Sequence, residues 1–225
     1  MPSYARKNLL VNNLCYHIFN RGISRHYLFD DDNDKEYFKN LLLRYKNQHN
    51  FIIYHWVIMS NHYHMVLELD KPEQLSSIMS GIGRAYSHYY HAKYETSGYL
   101  WEGRFKAQAI EKEFYLHTCG RYIEQNPLRA KIVTHAEEYI YSSARYYTKG
   151  TRDEVTSRNP SYDEMGLTEE ERRKNYSIWL KEFDGEGRIH FDIIENPMLG
   201  KGLFKSALKK VGGHFVPRTR GRLKD

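Results

Sequence analysis

The stretch IMSNHYHMVLEL, residues 58–69, decides how the fold of this chain is interpreted. Its apolar and β-branched residues are typical of a β-strand, yet His62 and His64 stand near its start with one residue between them. Side chains in a strand alternate between the two faces of a sheet, so both imidazoles point the same way. Such a pair has the geometry to bind one divalent metal ion. Alternatively, both histidines are ordinary strand residues on the solvent face of the sheet.

Composition indicates a globular protein with one core and a smaller appendage, or with two compact units. The chain has 225 residues, 40% of them hydrophobic, and a formal charge of +6 that favours an anionic partner, nucleic acid first. Its 20 tyrosines would suit base stacking, although most tyrosines simply fill cores or surfaces. Cys15 and Cys119 predict neither a disulfide framework nor a zinc site. Without a signal-peptide pattern or a membrane-length apolar run, the protein is expected to be cytoplasmic.

The order of the predicted elements indicates an α+β fold. Strand patterns occupy 14–19 (LCYHIF), 51–59 (FIIYHWVIM), 62–69 (HYHMVLEL) and 104–111 (RFKAQAIE). Apolar residues at helical spacing predict helices over 32–49, 71–94 and 112–126. The resulting order β-α-β-β-α-β-α predicts a ferredoxin-like antiparallel sheet with helices packed on one face.

The chain is expected to divide into a core domain, residues 1–148, and a mostly helical C-terminal extension, residues 149–225. Polar residues from Thr148 onward predict a loop or linker between them. Helical patterns then return, with Thr168 as a helix N-cap and apolar residues including Phe183 for packing. The chain ends in PRTRGRLKD, a basic tail whose charges would add affinity for DNA without sequence choice.

The third predicted helix could complete a site with the two histidines. One continuous face of this helix carries Tyr115, Cys119, Tyr122 and Asn126. A phenol and an amide oxygen therefore project side by side from Tyr122 and Asn126. Tyrosine is a weak nucleophile at neutral pH because its pKa is about 10, and a metal ion that polarises a phosphate would offset this. From spacing alone, it is equally consistent that Tyr122 is a core residue and Asn126 is the C-terminal cap before Pro127.

Several motifs in the same order resemble those of the REP-associated tyrosine transposases, which belong to the HUH single-tyrosine transposases. The motifs are IMSNHYHMVLEL (58–69), GYLWEGRFKAQAIE (98–111) and RYIEQNPLRAKIV (121–133), and YHIFNRG (16–22) and SSARYY (142–147) fit as well. The resemblance spans roughly residues 14–148. One departure is Ser60, where the family more often has proline, and this affects a tight turn between two strands but not the chemistry.

The resemblance implies an HUH nuclease core with assigned roles. By that resemblance His62, His64 and Asn126 bind a divalent metal ion, Mg²⁺ or Mn²⁺, and Tyr122 is the catalytic nucleophile. The implied activity is cleavage and strand transfer of single-stranded or hairpin DNA from repetitive palindromes, through a 5′-phosphotyrosine intermediate, as in transposition. The metal ion would stabilise charge on the phosphate. The active species would be a monomer or a homodimer.

Five basic residues near these motifs are candidate DNA contacts, although each can equally be a solvated surface charge. They are Arg21, Arg84, Arg104, Lys106 and Arg129. Two further functions stay open. One is a non-catalytic protein that binds hairpin or single-stranded nucleic acid through a sheet and aromatic stacking. The other is a metal-dependent phosphodiesterase in which water attacks and no adduct forms. The completeness of the metal pair, the third ligand and the nucleophile favours the transposase.

Overall fold

A β-sheet forms the centre of the computed structural model, which describes residues 14–182 and 198–199. Within these residues the strands are β1 (Cys15–Arg21), β2 (Ile52–Ile58), β3 (His62–Glu68), β4 (Lys106–Ile110) and β5 (Met198–Leu199). Their order across the sheet is β2-β3-β1-β4-β5. Strands β1 to β4 pair in antiparallel fashion, and β5 adds a short parallel pair at the edge. All four predicted strands therefore form, each within about two residues of its predicted bounds.

The helices of the described residues are α1 (Asp32–His49), α2 (Leu75–Tyr94), α3 (Lys112–Glu124), α4 (Asn126–Arg129), α5 (Ala144–Lys149), α6 (Pro160–Asp163) and α7 (Glu169–Lys181). Helix α1 has the bounds that the sequence predicts. Helix α7 begins with the predicted cap, because the side chain of Thr168 accepts a hydrogen bond from the backbone N–H of Glu171. Helix α3 ends two residues before its predicted end, and Pro127 lies in the first turn of α4.

Helices α1 and α2 cover one face of the sheet and form the larger core with it. The core on this face includes Tyr16, Ile18, Trp56, Met65 and Leu67 from the strands and Phe38, Leu42, Ile78, Ile82 and Tyr86 from the helices. The strand order β2-β3-β1-β4 with two helices on one face is the ferredoxin-like arrangement. The predicted α+β fold is therefore confirmed.

Helix α3 differs from the prediction that all helices pack on one face, because it lies on the opposite face of the sheet. Cys15, Val57 and Val66 point away from α1 and α2 and are buried by apolar residues of α3, among them Leu116 and Ile123. The central strands are apolar on both faces and therefore need a cover on each side. Strand alternation places His62 and His64 on this second face, beneath α3.

Residues after α4 pack against the sheet and α3. The indole N–H of Trp56 in β2 donates hydrogen bonds to Asp153 and Thr156, at 3.0 and 2.9 Å. The ring of Trp179 in α7 stacks on His117 of α3, with centroids 3.6 Å apart. Phe183 and the basic tail lie outside the described residues. No helix in the described part of the chain is both long and apolar enough to cross a membrane.

Candidate metal and nucleophile site

The two histidines of β3 lie on the same face of the sheet, as the sequence predicts. The ring centroids of His62 and His64 lie 5.2 Å apart, with the ring planes nearly perpendicular. Strand β1 pairs beside them, so that Arg21 lies opposite His62 and Phe19 lies opposite His64. The site therefore sits at one end of the β1–β3 pair, on the face covered by α3.

Neighbouring side chains hold one nitrogen of each imidazole. Nδ1 of His62 lies 2.6 Å from Oδ1 of Asn61, in the turn between β2 and β3. Nδ1 of His64 lies 2.9 Å from Nε2 of His17 in β1. The rings of His17 and Phe19 both stack on the ring of His64, at centroid distances of 5.1 and 5.2 Å. Because both Nδ1 atoms have partners, Nε2 is the nitrogen left on each ring for a ligand.

Burial keeps the imidazoles neutral. It lowers the pKa of His62 to about 4, helped by the positive charge of Arg21 and opposed by a side-chain hydrogen bond with Asn126. Burial also lowers the pKa of His64 well below its usual value, and His17, His62 and Arg129 act in the same direction. Neutral imidazole is the form that binds a metal ion.

Helix α3 brings the predicted tyrosine and asparagine to the histidines. The ring of Tyr122 meets the rings of His64 and His17 edge-on, at centroid distances of 5.9 and 6.0 Å. The side-chain N–H₂ of Asn126 donates to the backbone carbonyls of Tyr122 and Ile123, at 2.9 and 3.0 Å. Asn126 therefore caps the end of α3, and its amide oxygen is the atom left for the hydrogen bond with His62. A role as the C-terminal cap of α3 and a position facing His62 are therefore compatible for Asn126.

These residues fit a divalent metal ion. Two neutral imidazoles and one amide oxygen converge from β3 and the end of α3, and nitrogen and oxygen ligands of this kind suit Mg²⁺ or Mn²⁺. Within residues 14–182, no three His, Cys, Asp or Glu side chains are grouped to hold a metal ion. A site at His62 and His64 would therefore depend on the amide of Asn126.

Two of the predicted DNA contacts lie at the site. The guanidinium of Arg129 lies over the ring of Tyr122, 4.6 Å from its centroid, and donates to the backbone carbonyl of Tyr122 at 2.9 Å. The ammonium of Lys106 lies 5.3 Å from the centroid of Phe19, the residue that stacks on His64. Both cations therefore border Tyr122 and the histidines.

The other three predicted contacts are placed differently. Arg21 adjoins His62 in the sheet, but its guanidinium forms an ion pair with Glu102. Arg104 is exposed in the segment before β4. Arg84 is exposed on α2, in the helix layer on the other face of the sheet, so the structure does not bring it to Tyr122.

A buried carboxyl group behind α3 is part of the arrangement that the sequence does not predict. Glu124 is fully buried, and its oxygens lie 2.9 Å from Nδ1 of His55, 2.6 Å from the hydroxyl of Ser143 and 2.7 Å from the hydroxyl of Tyr176. Glu124 lies two residues from both Tyr122 and Asn126. The network therefore ties the helix that carries them to β2 and α7.

His17 is the other residue of the site that the sequence does not predict. Alternation along β1 places His17 and Phe19 on one face, and this signal is present in the motif YHIFNRG. Their contact with His64 depends on the register of β1 against β3, which pairs Phe19 with His64 and brings His17 next to it, 47 positions away in the sequence. No local pattern carries that information.

Several solved structures resemble this chain, among them two of transposases. A REP-associated tyrosine transposase bound to a REP hairpin matches with a TM-score of 0.53 and 17% identity, over 70% of this chain and 92% of that chain. A candidate transposase from Deinococcus radiodurans has a TM-score of 0.38 and 20% identity, over 56% of this chain and 97% of the other. The first of these shows a common fold.

A family model supplies the assignment. The model for IS200-like transposases matches residues 10–126, which is more than half of the chain and includes His62, His64, Tyr122 and Asn126. The family generally depends on divalent metal ions. No curated protein sequence matches significantly. The resemblance drawn from the motifs is confirmed at the family level: the chain belongs to the IS200-like transposase family.

Proposed function

We propose that this protein is a metal-dependent endonuclease and strand transferase that acts on single-stranded hairpin DNA from repetitive palindromes. The observation that carries the proposal is the meeting of Tyr122, Asn126, His62 and His64 on one face of the sheet. The ring of Tyr122 lies 5.9 Å from that of His64, and Asn126 bonds both to the carbonyl of Tyr122 and to the side chain of His62. The phenol of Tyr122 is thus held beside the three residues proposed to bind a metal ion.

In this proposal His62, His64 and Asn126 hold Mg²⁺ or Mn²⁺. The bound ion would supply Lewis-acid stabilisation of charge on the scissile phosphate. Tyr122 forms a bond from its phenolic oxygen to phosphorus as the bond from phosphorus to the 3′ oxygen breaks. The products are a 5′-phosphotyrosine and a free 3′-hydroxyl. The reverse attack by a 3′-hydroxyl releases Tyr122 and joins a strand, so no external energy source is needed.

The proposed substrate follows from charge and from the relative with the same fold. Arg129 and Lys106 place positive charge beside Tyr122 and Phe19, where a backbone phosphate would lie during attack. The related transposase is bound to a REP hairpin. Arg21, Arg104 and Arg84 are proposed to contact DNA farther from the reacting phosphate, and the basic tail to add affinity without sequence choice.

One chain is sufficient for the proposed site, since the tyrosine, the asparagine and both histidines meet within it. We therefore propose a monomer as the minimal active species, with a homodimer as the alternative. Residues 149–225 are proposed to be an extension of the core domain 1–148. Light scattering of the purified protein, alone and with hairpin DNA, would distinguish the two states.

The proposed function is tested by a denaturing gel. Protein and Mn²⁺ are incubated with labelled single-stranded hairpin DNA from repeats of the genome that encodes the protein. A labelled, protein-linked band is expected, and Tyr122→Phe should abolish it while DNA binding persists. Tyr115→Phe is the matched control, because Tyr115 lies two turns earlier on the same helix. Cleavage without a linked band would indicate a hydrolytic phosphodiesterase, and binding without cleavage would indicate a non-catalytic binder.

A further inference from the structure

A third histidine lies behind the proposed metal ligands. His17 is fully buried in β1, and its Nε2 atom lies 2.9 Å from Nδ1 of His64. We propose that His17 is a positioning residue that fixes the tautomer and the ring orientation of His64, so that Nε2 of His64 faces the metal ion. This inference rests on the proposed function, because it concerns the same metal site.

The tautomer follows from the number of protons available. Between two neutral imidazole nitrogens at hydrogen-bond distance, one carries the proton and the other accepts it. Nε2 of His64 must keep its lone pair to bind a metal ion, so the proton of His64 lies on Nδ1. Nδ1–H of His64 therefore donates to Nε2 of His17. The proton of His17 must then lie on its own Nδ1.

Gln108 is the polar side chain that faces His17 from β4. It is fully buried, directly opposite His17 in the strand register, and its side chain opposes the lowering of the pKa of His17 by burial. With its proton on Nδ1, His17 has the amide oxygen of Gln108 as the acceptor opposite it in the strand register. The bond that His64 donates to His17 therefore leaves the proton of His17 on the side of Gln108. Hydrogen bonds of this kind to the second ring nitrogen are how proteins orient metal-binding histidines.

Packing makes the orientation hard to reverse. The rings of His17 and Phe19 both stack against the ring of His64, with interplanar angles of 22° and 29°. If the His64 ring rotated, Nε2 of His17 would lose the N–H group that donates to it. Because the site is buried, water would not replace that donor. Unmade buried hydrogen bonds cost about 1–3 kcal/mol each. The packing therefore holds the His64 ring in the orientation that its hydrogen bond with His17 requires.

His62 has two amide partners. Its Nδ1 atom lies 2.6 Å from Oδ1 of Asn61, and its side chain also forms a hydrogen bond with Asn126. A neutral ring has one proton for these two acceptors, so the contacts of His62 do not by themselves assign its tautomer. The tautomer is assigned for His64, through its contact with His17.

The test compares two substitutions at His17. His17→Phe keeps an aromatic ring but removes the acceptor, whereas His17→Gln keeps a carbonyl acceptor of similar reach. Long-range ¹H–¹⁵N spectra of the metal-free protein would report the tautomer of His64, and electron paramagnetic resonance would report Mn²⁺ affinity. His17→Phe should lose uniform Nδ1–H protonation at His64 and bind Mn²⁺ about 10- to 100-fold more weakly. His17→Gln should restore both, and His117→Phe is a control for loss of a buried histidine outside the site.

Each outcome has a defined meaning. Unchanged Mn²⁺ affinity and an unchanged His64 tautomer in His17→Phe would overturn the proposal while leaving the proposed function intact. Failure of the wild-type protein to bind Mn²⁺ or to form the DNA adduct would instead contradict the proposed function. If His17→Phe does not fold, Gln108→Leu is the second variant, because it removes the polar side chain that faces His17 from β4. An unaltered His64 tautomer in Gln108→Leu would overturn the inference.

Discussion

The side-chain N–H₂ of Asn126 is hydrogen-bonded to the backbone carbonyl of Tyr122, one helical turn earlier, at 2.9 Å. This contact fixes the orientation of the amide, because its nitrogen caps α3 and its oxygen must then point to the other side. The oxygen side is where His62 forms its hydrogen bond with Asn126. Tyr122, the proposed nucleophile, and Asn126, the proposed third ligand, are therefore positioned by the same helix end.

Substitution of Asn126 should separate the two roles of its amide. Asn126→Ala should lose most Mn²⁺ affinity and also destabilise the end of α3 by about 1 kcal/mol, since both ligand and cap are lost. Asn126→Asp should keep Mn²⁺ binding through a carboxylate oxygen, yet be less stable than wild type, because an anion at a helix C-terminus is unfavourable. Mn²⁺ titration and urea unfolding measure the two effects. Wild-type Mn²⁺ affinity in Asn126→Ala would contradict the ligand role.

The buried carboxyl of Glu124 should contribute strongly to stability. Tyr176→Phe removes the hydroxyl that donates to Glu124 at 2.7 Å and should lower the free energy of unfolding by about 1.5–3 kcal/mol, the range for hydrogen bonds to charged groups. Tyr146→Phe is the control and should cost less, because Tyr146 packs against the same group of buried residues as Tyr176 but is only partly buried. Urea unfolding measures both variants. Equal stability of Tyr176→Phe and wild type would show that the network adds nothing.

Gly120 should not tolerate a side chain. A Cβ atom at this position of α3 would lie about 2.5 Å from the ring of His55, which is itself bonded to Glu124. Gly120→Ala should therefore destabilise by about 1–3 kcal/mol despite the better helix propensity of alanine. Gly83→Ala is a matched control on α2, where the nearest atom lies at 3.6 Å, and it should be neutral or stabilising by up to about 1 kcal/mol. Similar effects of the two substitutions would contradict this account.

Stability should fall in acid partly through His117. Burial, with help from His55 and Arg121, lowers the pKa of His117 to about 3 from an ordinary 6.5. Below pH 6.5 the unfolded chain therefore binds a proton that the folded chain does not. The contribution of neutral His117 is fully present above pH 6.5 and is lost progressively towards pH 3, at up to about 1.4 kcal/mol per pH unit.

His117→Phe provides the measurement for this pH dependence. Phenylalanine keeps an aromatic ring against Trp179 but cannot be protonated, so the free energy of unfolding should depend less on pH between 6.5 and 4. Urea unfolding of both proteins at three pH values in that window gives the two slopes. Parallel slopes would show that His117 does not titrate as its burial implies.

Local patterns predict much of the fold, and they fail where contacts are long-range. Apolar, partly β-branched runs predict the strands, and apolar residues at helical spacing predict α1 with its observed bounds. The face on which α3 packs is not predictable in this way, because a strand that is apolar on both faces looks the same whichever helix covers it.

In the site, too, local patterns predict some features and long-range contacts determine the others. Alternation predicts that His62 and His64 share a face, and helical spacing predicts that Tyr122 and Asn126 do. The contacts that support them join distant positions: His17 and His64 are 47 residues apart, and His55 and Glu124 are 69. The first depends on the register of the sheet and the second on the packing of α3 against β2, and neither leaves a local pattern in the sequence.

The central claim is that Tyr122 is the residue that becomes linked to DNA. The most direct measurement is mass spectrometry of the covalent complex after digestion with nuclease and trypsin. Cleavage after Arg121 and Arg129 releases the peptide YIEQNPLR, residues 122–129. The account predicts that this peptide carries the residual 5′-nucleotide on Tyr122. A nucleotide on any other tyrosine, with an unmodified 122–129 peptide, would contradict it.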